Sequence, residues 1–396
     1  MLLPRIYDNL NLFLKPNKVL VIYGSRQAGK TTLLKKFLSE NEGHFRYKLD
    51  SGDDVNTQIV LGSSEFKKIT DYAKGYDLIA IDEAQRIKNI GMGLKILVDQ
   101  LPNIKIIVTG SSSFELAGQI GEPLTGRKTT LTLFPLSQIE MGKLYNDYDL
   151  RSRLEEYLIF GSYPEVLTSE TINDKKTILE ELVGSYLLKD ILELEKVKSS
   201  KLLLDLLRLL AFQVGSEVSL SELGKQLGID SKTVARYLDL FEKSFVIFNL
   251  RGFSRNRRKE ITSKSKYYFL DNGIRNAIIA NFNLLDIRDD IGKLWENFLV
   301  VERLKKQSYT QIYSNNYFWR TWDQKEVDWV EERNGQLFGY EFKWKNKSRK
   351  GSPAWKDNYP DANLEIVDNA NYLEFVKQDF RQYARATDVT SRNNRR

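Results

Sequence analysis

The chain has 396 residues, 41% of them hydrophobic and 29% charged, which is ordinary for two or three globular domains. It has no cysteine and one histidine, so disulfides, thiolate catalysis, Ser–His catalysis and cysteine- or histidine-rich metal sites are excluded. Chemistry must therefore rely on carboxylates, lysine, arginine and hydroxyl groups, with a hard cation such as Mg²⁺ held by oxygen. The net charge of +7 is weak support for a polyanionic partner.

Neither a membrane segment nor a secretory signal is indicated. No apolar run approaches the roughly 20 residues that span a bilayer. Polar Asp8 and Asn9 soon interrupt the apolar residues near the N-terminus. We expect a cytoplasmic protein without a membrane partner.

The first motif is a glycine-bounded loop that follows an apolar run. Lys18–Tyr23 predicts a buried strand, and the next residues have the Walker A spacing Gly-x4-Gly-Lys-Thr. A helix from Lys30 to Leu38 would present its positive end to phosphate oxygens. We expect Lys30 to contact the β- and γ-phosphates of ATP and Thr31 to ligate Mg²⁺. The predicted nucleotide contacts in this loop are Gly24, Ser25, Arg26, Gln27, Ala28, Gly29, Lys30, Thr31 and Thr32.

A second motif ends another apolar strand. Asp77–Gln85 reads Asp-Leu-Ile-Ala-Ile-Asp-Glu-Ala-Gln, which places Asp82 and Glu83 at the carboxyl end of a strand, where α/β sheets bind ligands. Asp82 is predicted to hold Mg²⁺ through water, and Glu83 to act as the general base that polarises the attacking water. The alternative is that Asp82 only caps a helix.

A third strand, Ile104–Thr109, ends in a run of hydroxyl side chains. Thr109 and Ser111 are candidates to sense the γ-phosphate of ATP. The alternative is an ordinary serine-rich turn that caps a helix. Both interpretations stay open from the sequence.

An arginine follows a flexible glycine before the next strand. Arg127, after Gly126, could reach the γ-phosphate in a neighbouring subunit as an arginine finger. The alternative is one surface arginine among many.

These motifs, in this order, resemble a group of prokaryotic AAA+ ATPases. The resemblance also includes Pro135–Glu140 (Pro-Leu-Ser-x-x-Glu), Phe160–Glu165 and Tyr186–Ile191, the last two being similar to the lid region of that group. It implies ATP hydrolysis to ADP, a homo-oligomer, and Arg127 as the finger. It covers most of the chain and says little about the cellular task.

The middle of the chain has the pattern of a winged helix-turn-helix. Helices are predicted at Leu202–Phe212, from Ser219, and at Lys232–Lys243, the last capped by Ser231. Strands Phe245–Leu250 and Lys266–Leu270 enclose a basic loop. The module either contacts DNA or serves in packing and protein contacts. The side chains that would face DNA are Lys232, Thr233, Arg236, Arg251, Arg255, Arg257, Arg258 and Lys259.

The last quarter contains four charged residues whose order resembles the PD-(D/E)xK nuclease fold. Glu296 lies on a helix, Asp328 follows in an alternating strand, and Glu341 and Lys343 share one face of the next strand. Asp328 and Glu341 would bind Mg²⁺ with help from Glu296, and Lys343 would be catalytic, steadying the attacking hydroxide or the phosphate. The alternative is a degenerate fold that keeps these charges as a buried ion network.

Two further features accompany this site. Trp319 and Trp322 flank an arginine and could stack on bases, although a place in the core and rim of a small sheet is favoured. Residues 343–350 form a second basic cluster, which either contacts a phosphate backbone or is a solvated loop.

The predicted fold class is therefore α/β, with four domains and a tail. They are a P-loop AAA+ parallel-sheet core at 1–136, a helical lid at 137–195, a winged helix-turn-helix at 196–275, a PD-(D/E)xK-like α/β domain at 276–380 and a disordered tail at 381–396. The leading hypothesis is an ATPase with Mg²⁺ that acts on DNA with little sequence specificity. The rivals are an ATP-dependent switch that binds partner proteins and a DNA-binding motor with a degenerate nuclease site.

Overall fold

The computed structural model describes residues 2–110, 120–121, 123–187, 200–254, 265–345 and 351–377. Several predicted features lie outside the described residues: Ser111, Arg255, Arg257, Arg258, Lys259, positions 346–350 of the basic cluster and the tail 381–396.

The N-terminal part is a parallel five-stranded sheet with the strand order β2-β3-β4-β1-β5. Val19 and Val21 face one apolar core, whereas Leu20 and Ile22 face the other. Burial on both faces explains why these strands are unbroken apolar runs. The strands are β1 (Val19–Gly24), β2 (Tyr47–Ser51), β3 (Leu78–Asp82), β4 (Lys105–Gly110) and β5 (Lys128–Leu133).

Helices cover this sheet and lead into a helical region. Those around the sheet are α1 (Lys30–Glu40), α2 (Val55–Leu61), α3 (Phe66–Ala73) and α4 (Ile90–Gln100), with 3-10 turns at Leu10–Leu12 and Ala84–Arg86. The helical region follows with α5 (Gln138–Met141), α6 (Asp147–Ser152), α7 (Leu154–Phe160), α8 (Pro164–Thr168), α9 (Ile172–Glu181) and a π-helical segment Leu182–Leu187. A capping box of Ser137 and Glu140 starts α5.

The next region contains three helices and three strands in the order helix, strand, helix, helix, strand, strand. They are α10 (Ser200–Phe212), β6 (Glu217–Val218), α11 (Leu220–Leu227), α12 (Ser231–Lys243), β7 (Ile247–Gly252) and β8 (Ser265–Phe269). The cap of α12 is Asp230 rather than Ser231, because the Asp230 carboxylate accepts the Thr233 amide at 2.9 Å. The strand predicted from Phe245 begins two residues later, since Phe245 is left-handed with φ 53°.

The C-terminal region completes a seven-stranded mixed sheet with the order β12-β11-β10-β9-β7-β8-β6. β7 pairs in parallel with β9, so the sheet runs across the boundary predicted between positions 275 and 276. The elements are α13 (Asn272–Ile278), a 3-10 turn at Leu285–Ile287, α14 (Ile291–Thr310), β9 (Asn315–Arg320), β10 (Glu326–Arg333), β11 (Gln336–Phe342), α15 (Pro353–Asn358), β12 (Asn363–Val367) and α16 (Tyr372–Val376).

Helix α14 touches both sheets. Its buried Glu302 accepts the Gln138 amide at 2.7 Å, and Lys305 donates to the Leu136 carbonyl at 2.9 Å. Near its end, the Tyr309 ring packs edge-on against Tyr7. Twenty residues of helix span about 30 Å, so this single element connects the C-terminal region to the end of the five-stranded sheet.

The two tryptophans for which core and rim positions in a small sheet were favoured differ in exposure. Trp319 is buried and packs edge-on against Trp355, whereas Trp322 is fully exposed in the turn between β9 and β10. Within the described ranges, no helix is both long enough and apolar enough to cross a bilayer.

Candidate nucleotide site and C-terminal carboxylate cluster

The predicted phosphate-binding loop connects β1 to α1 at the carboxyl edge of the five-stranded sheet. Gly24 has φ 148°, and a Cβ there would lie 2.0 Å from the Leu133 carbonyl oxygen, so only glycine fits beside β5. Gly29 is left-handed with φ 92° immediately before the first helical residue. The two glycines thus turn the chain into α1, whose free amides face the loop.

Lys30 lies inside this loop with only 5% of its surface exposed. Its Nζ donates to the carbonyl oxygens of Gly24 and Ser25, each at 2.9 Å. These two acceptors are neutral and hold the ammonium group by their dipoles.

Thr31 and Asp82 meet at the ends of neighbouring elements. Thr31 Oγ1 donates to the two carboxylate oxygens of Asp82 at 2.9 and 3.1 Å. Two oxygen side chains at this edge fit the ligands that Mg²⁺ takes when phosphates and water supply the others. The donor set is therefore suited to the predicted metal.

Thr109 joins the same group because β4 lies beside β3. Its hydroxyl donates to Asp82 Oδ1 and accepts the Glu83 amide at 3.1 Å. Thr109 thus fixes both carboxylate residues of the second motif. Its predicted role as a sensor of the γ-phosphate stays a prediction.

Glu83 directly follows β3 in an unusual backbone conformation. Its φ is 51°, which is left-handed and strained for a residue with a side chain. The carboxylate accepts a hydrogen bond from the Gln85 amide group. The helix-cap alternative for Asp82 receives no support, because Glu83 occupies the cap of the short 3-10 turn and its side chain makes no capping bond.

Arg127 lies at the opposite edge of the sheet from the loop. Residues 19 to 24 of β1 pair with 128 to 133 of β5, so Arg127 precedes the far end of that strand. Five residue steps along a strand span about 16 Å, which separates the strand end next to Arg127 from the strand end next to the loop. Its Nε contacts Asp99 Oδ1 at 2.7 Å. Arg127 cannot serve the nucleotide of its own chain, and a role in a neighbouring subunit stays a prediction.

The lid-like segment Phe160–Glu165 packs beside the loop. A Cβ on Gly29 would lie 3.9 Å from Pro164 Cγ. The preceding Ser162 donates its amide to the buried Asp271 carboxylate at 2.7 Å and its carbonyl accepts the Leu136 amide at 2.9 Å. The loop therefore has a wall contributed by the helical region.

The predicted nuclease-like residues are close to a buried lysine, Lys266, which was predicted only to begin a strand. Lys266, on β8, has a side chain that is 3% exposed. Its Nζ lies 3.3 Å from Glu296 Oε1 and also pairs with Glu326. Tyr268, two residues along the same strand, donates to Glu296 Oε1 at 2.7 Å. Burial lowers the pKa of Lys266, but the surrounding carboxylates outweigh it and raise that pKa above its ordinary value.

The other two predicted ligands also have protein partners. Asp328 Oδ2 accepts the Phe342 amide at 2.7 Å, and Glu341 Oε1 accepts the Ser352 amide at 2.6 Å. Burial raises the pKa of Asp328, and the neighbouring Glu296 adds to the rise. Lys343 is 52% exposed, with its Nζ 3.9 Å from Glu341 Oε2.

No predicted ligand set at this site has the geometry of a metal centre. In the parts of the chain that the structure describes, no three histidine, cysteine, aspartate or glutamate side chains are arranged to hold a metal ion. At this cluster the Lys266 ammonium pairs with Glu296, so the carboxylates here fit Mg²⁺ less well than the Thr31 and Asp82 oxygens at the P-loop do. A metal role for Glu296, Asp328 and Glu341, and a catalytic role for Lys343, stay predictions.

The missed residue had a sequence signal. Lys266 stands in a run of tyrosine and phenylalanine that forms a strand with four consecutive buried residues. A lysine in such a run requires a buried counter-charge, and the nearest unexplained inward carboxylate was Glu296.

Comparison with protein families supports the first site. Residues 16–142 match the family described as an AAA domain. Residues 151–285 match a domain of unknown function (DUF8612), and residues 291–384 match another (DUF4143). Together with the sheet and the loop, the first match shows that residues 16–142 are similar to an AAA domain.

The chain is also similar to full-length proteins of unknown activity. An uncharacterized protein of Methanocaldococcus jannaschii is 27% identical over 95% of this chain and 86% of its own. An uncharacterized protein of Haemophilus influenzae is 26% identical over 80% of each chain. Among solved structures, AMPPCP-bound DnaA from Aquifex aeolicus aligns with 57% of this chain and 81% of its own, at 19% identity and a TM-score of 0.26.

Proposed function

We propose that the protein is an ATPase that binds ATP with Mg²⁺ and hydrolyses it to ADP. The observation that carries this proposal is the meeting of Lys30, Thr31 and Asp82 at one edge of the parallel sheet, with Glu83 the next residue along the chain. An AAA-type domain over residues 16–142 supports it.

Each residue has a task that follows from its position. The amides of the loop and of the first turn of α1 bind phosphate oxygens, and Lys30 moves from two carbonyl oxygens to the β- and γ-phosphates. Thr31 and Asp82 hold the metal ion, which neutralises phosphate charge when bound. Glu83 orients a water molecule and accepts its proton. Thr109 holds the Asp82 carboxylate and the Glu83 backbone amide in place.

Substitution of Glu83 tests the proposal. Glu83→Gln should bind ATP with wild-type affinity and lower the steady-state turnover by about 10²–10⁴-fold, the usual contribution of a general base. Glu65→Gln, at an exposed glutamate before α3, is the matched control and should leave turnover unchanged. A Glu83→Gln enzyme that hydrolyses ATP at the wild-type rate would remove Glu83 from the mechanism. Absence of ATP binding by the wild type would remove the whole proposal.

The proposal includes a homo-oligomer in which Arg127 acts on a neighbouring subunit. Its position at the far edge of the sheet supports action in trans. Arg127→Ala alone and Lys30→Met alone should each be inactive. A mixture of the two should recover activity, because one variant supplies an intact P-loop and the other an intact arginine. No recovery, together with a monomeric mass in native mass spectrometry, would contradict the finger.

A second part of the proposal is contact with DNA through α12. Lys232 and Arg236 are exposed on this helix, one turn apart, and Lys225 is exposed on the preceding α11. Such side chains suit phosphate contacts without base readout. The rival is a switch that binds partner proteins through the same region.

DNA dependence of the ATPase separates the two. Under the DNA proposal, turnover rises with duplex or single-stranded DNA, and the double variant Lys232→Ala/Arg236→Ala loses the rise but keeps the basal rate. Lys201→Ala/Lys293→Ala, two lysines away from α12, is the control. A rate that is flat across duplex, single-stranded and branched DNA favours the switch.

A further inference from the structure

The carboxylate cluster of the C-terminal region already contains a cation that belongs to the protein. The Lys266 ammonium lies between Glu296 on α14 and Glu326 on β10, and its side chain is 3% exposed. Lys266 comes from β8, outside the segment 276–380 in which the nuclease-like residues were predicted. A lysine from one region therefore neutralises carboxylates of another.

One oxygen of each predicted ligand accepts a hydrogen bond from a protein donor. Glu296 Oε1 accepts both Tyr268 Oη at 2.7 Å and Lys266 Nζ at 3.3 Å. Asp328 and Glu341 each give one oxygen to a backbone amide. Gly215 lies beside this carboxylate, because a Cβ built there would lie 3.0 Å from Glu296 Oε1.

Lys266 has little freedom to leave. Its strand is hydrogen-bonded on both sides, to β6 at Glu217 and to β7 at Leu250. A divalent ion bound at about 2.1 Å from these oxygens would stand next to the ammonium group, and the like charges would repel strongly in a buried site. The lysine and a metal ion therefore compete for one place.

We propose that Lys266 is a built-in cation that replaces the divalent metal of this carboxylate cluster. The C-terminal region then keeps the outline of a nuclease-like site but binds no Mg²⁺ there and cuts no phosphodiester bond with it. The inference does not depend on the ATPase proposal, because it concerns other residues and a different measurement.

Direct metal titration tests it. Mn²⁺ is titrated by calorimetry into the full chain without nucleotide, with Asp82→Asn in every sample to remove the P-loop ligand. The sample without a further substitution should show no stoichiometric site up to 1 mM Mn²⁺. Any binding there would then have a free energy weaker than about −4 kcal/mol. Lys266→Met should gain a site at least 10-fold tighter, and Lys266→Met/Glu296→Gln should lose it again. Lys343→Met removes an exposed lysine beside the same carboxylates and keeps Lys266. It should therefore show no stoichiometric Mn²⁺ site, like the sample that carries Asp82→Asn alone.

Each other outcome overturns the proposal. One Mn²⁺ bound by the lysine-containing parent, and lost with Glu296→Gln or Asp328→Asn, would mean that the metal displaces Lys266. A folded Lys266→Met protein that still ignores Mn²⁺ would mean that the lysine does not occupy a cation site. If Lys266→Met fails to fold, Lys266→Gln takes its place, and the parent titration against Glu296→Gln alone remains able to refute the idea.

Discussion

Two buried lysines, Lys30 and Lys266, organise the two charged sites of the molecule. Both are almost fully buried, with 5% of Lys30 and 3% of the Lys266 side chain exposed. Lys30 donates to the neutral carbonyls of Gly24 and Ser25. Lys266 pairs instead with the carboxylates of Glu296 and Glu326.

The difference lies in what each lysine would lose by moving. A carbonyl oxygen is a weak partner for an ammonium group, so a polyphosphate can attract Lys30 away from its loop. Two carboxylates in a buried site are partners that no incoming anion improves on, and removal of the cation would leave them unpaired. The first arrangement suits a group that binds a ligand, and the second suits a group that fixes a structure.

Replacement of Lys30 is expected to give the largest effect and tests the difference between the two lysines. Lys30→Met should reduce ATP turnover by about 10²–10³-fold or more, because a positive charge next to the transferred phosphoryl group is lost. The free energy of unfolding should fall by about 1–3 kcal/mol, less than for removal of Lys266, since the two acceptors that lose their donor are neutral. Steady-state turnover and urea unfolding measure the two effects. Lys35→Met, at an exposed position of α1, is the control, and a large loss of stability in Lys30→Met would contradict the comparison.

Removal of Lys266 should have the reverse profile. Lys266→Met should lower the free energy of unfolding by about 3–5 kcal/mol, as expected when one partner of a buried ion cluster is removed. ATP turnover under conditions where the protein stays folded should be within about twofold of wild type. Lys343→Met should cost less than about 0.5 kcal/mol, because its ion pair is long and half exposed. If Lys266→Met and Lys343→Met lowered the free energy of unfolding equally, burial would not distinguish Lys266 from Lys343.

Removal of the Thr109 hydroxyl tests how the nucleotide site is held in place. Thr109→Val keeps the shape but removes the hydroxyl that bonds Asp82 and the Glu83 amide. Hydrogen bonds to charged groups contribute about 1.5–3 kcal/mol, so the maximal turnover rate should fall by about 10- to 100-fold while the KM for ATP changes less. Thr130→Val, an exposed threonine of β5, should leave both parameters unchanged. A change in KM alone would place Thr109 in nucleotide binding instead.

Glu242 is a carboxylate that is partly buried beside the side-chain amide of Asn249. Burial raises its pKa to about 7, and it accepts a 3.4 Å hydrogen bond from Asn249. The folded protein therefore holds a proton between about pH 4.5 and 7 that the unfolded chain has released, so stability should fall as the pH rises through this window. With its partial exposure taken into account, the loss should be about 1–2 kcal/mol.

Urea unfolding at pH 5 and pH 8 measures this loss. Glu242→Gln should reduce the difference between the two pH values, and Glu222→Gln, at an exposed glutamate of α11, should not. An unchanged difference in Glu242→Gln would assign the pH dependence to other groups.

Local motifs were predictable from the sequence, and long-range partners were not. The strand and helix around Lys30 were predicted from the apolar run, the glycine spacing and the helix start, and the structure has β1 and α1 at these positions. Thr109 was predicted to lie at the end of β4. Its contacts with Asp82 and Glu83 were not predicted, because they depend on the strand order that places β4 beside β3. Parallel pairing joins residues that lie far apart in the chain, so no local pattern encodes it.

The C-terminal cluster illustrates the limit more fully. Glu296 was recognised as an inward carboxylate on a helix, and Asp328 and Glu341 were recognised from their order in a pattern that resembles the PD-(D/E)xK fold. Lys266 was missed because its partners follow it by 30 and 60 positions and the sheet that unites them spans two predicted domains. A charge in an apolar strand indicates that a counter-ion exists, but only the tertiary fold says which one.

Helix α14 has a consequence for dissecting the molecule by truncation. Its first half carries Glu296 to the C-terminal cluster, and its second half supplies Glu302 and Lys305 to the Gln138 amide and the Leu136 carbonyl. A fragment that stops before Ile291 would leave those backbone groups without their partners and uncover the aromatic surface against Tyr309. The P-loop region is thus poorly suited to expression as an isolated fragment, and any shortened chain meant to report on its catalysis should retain this helix.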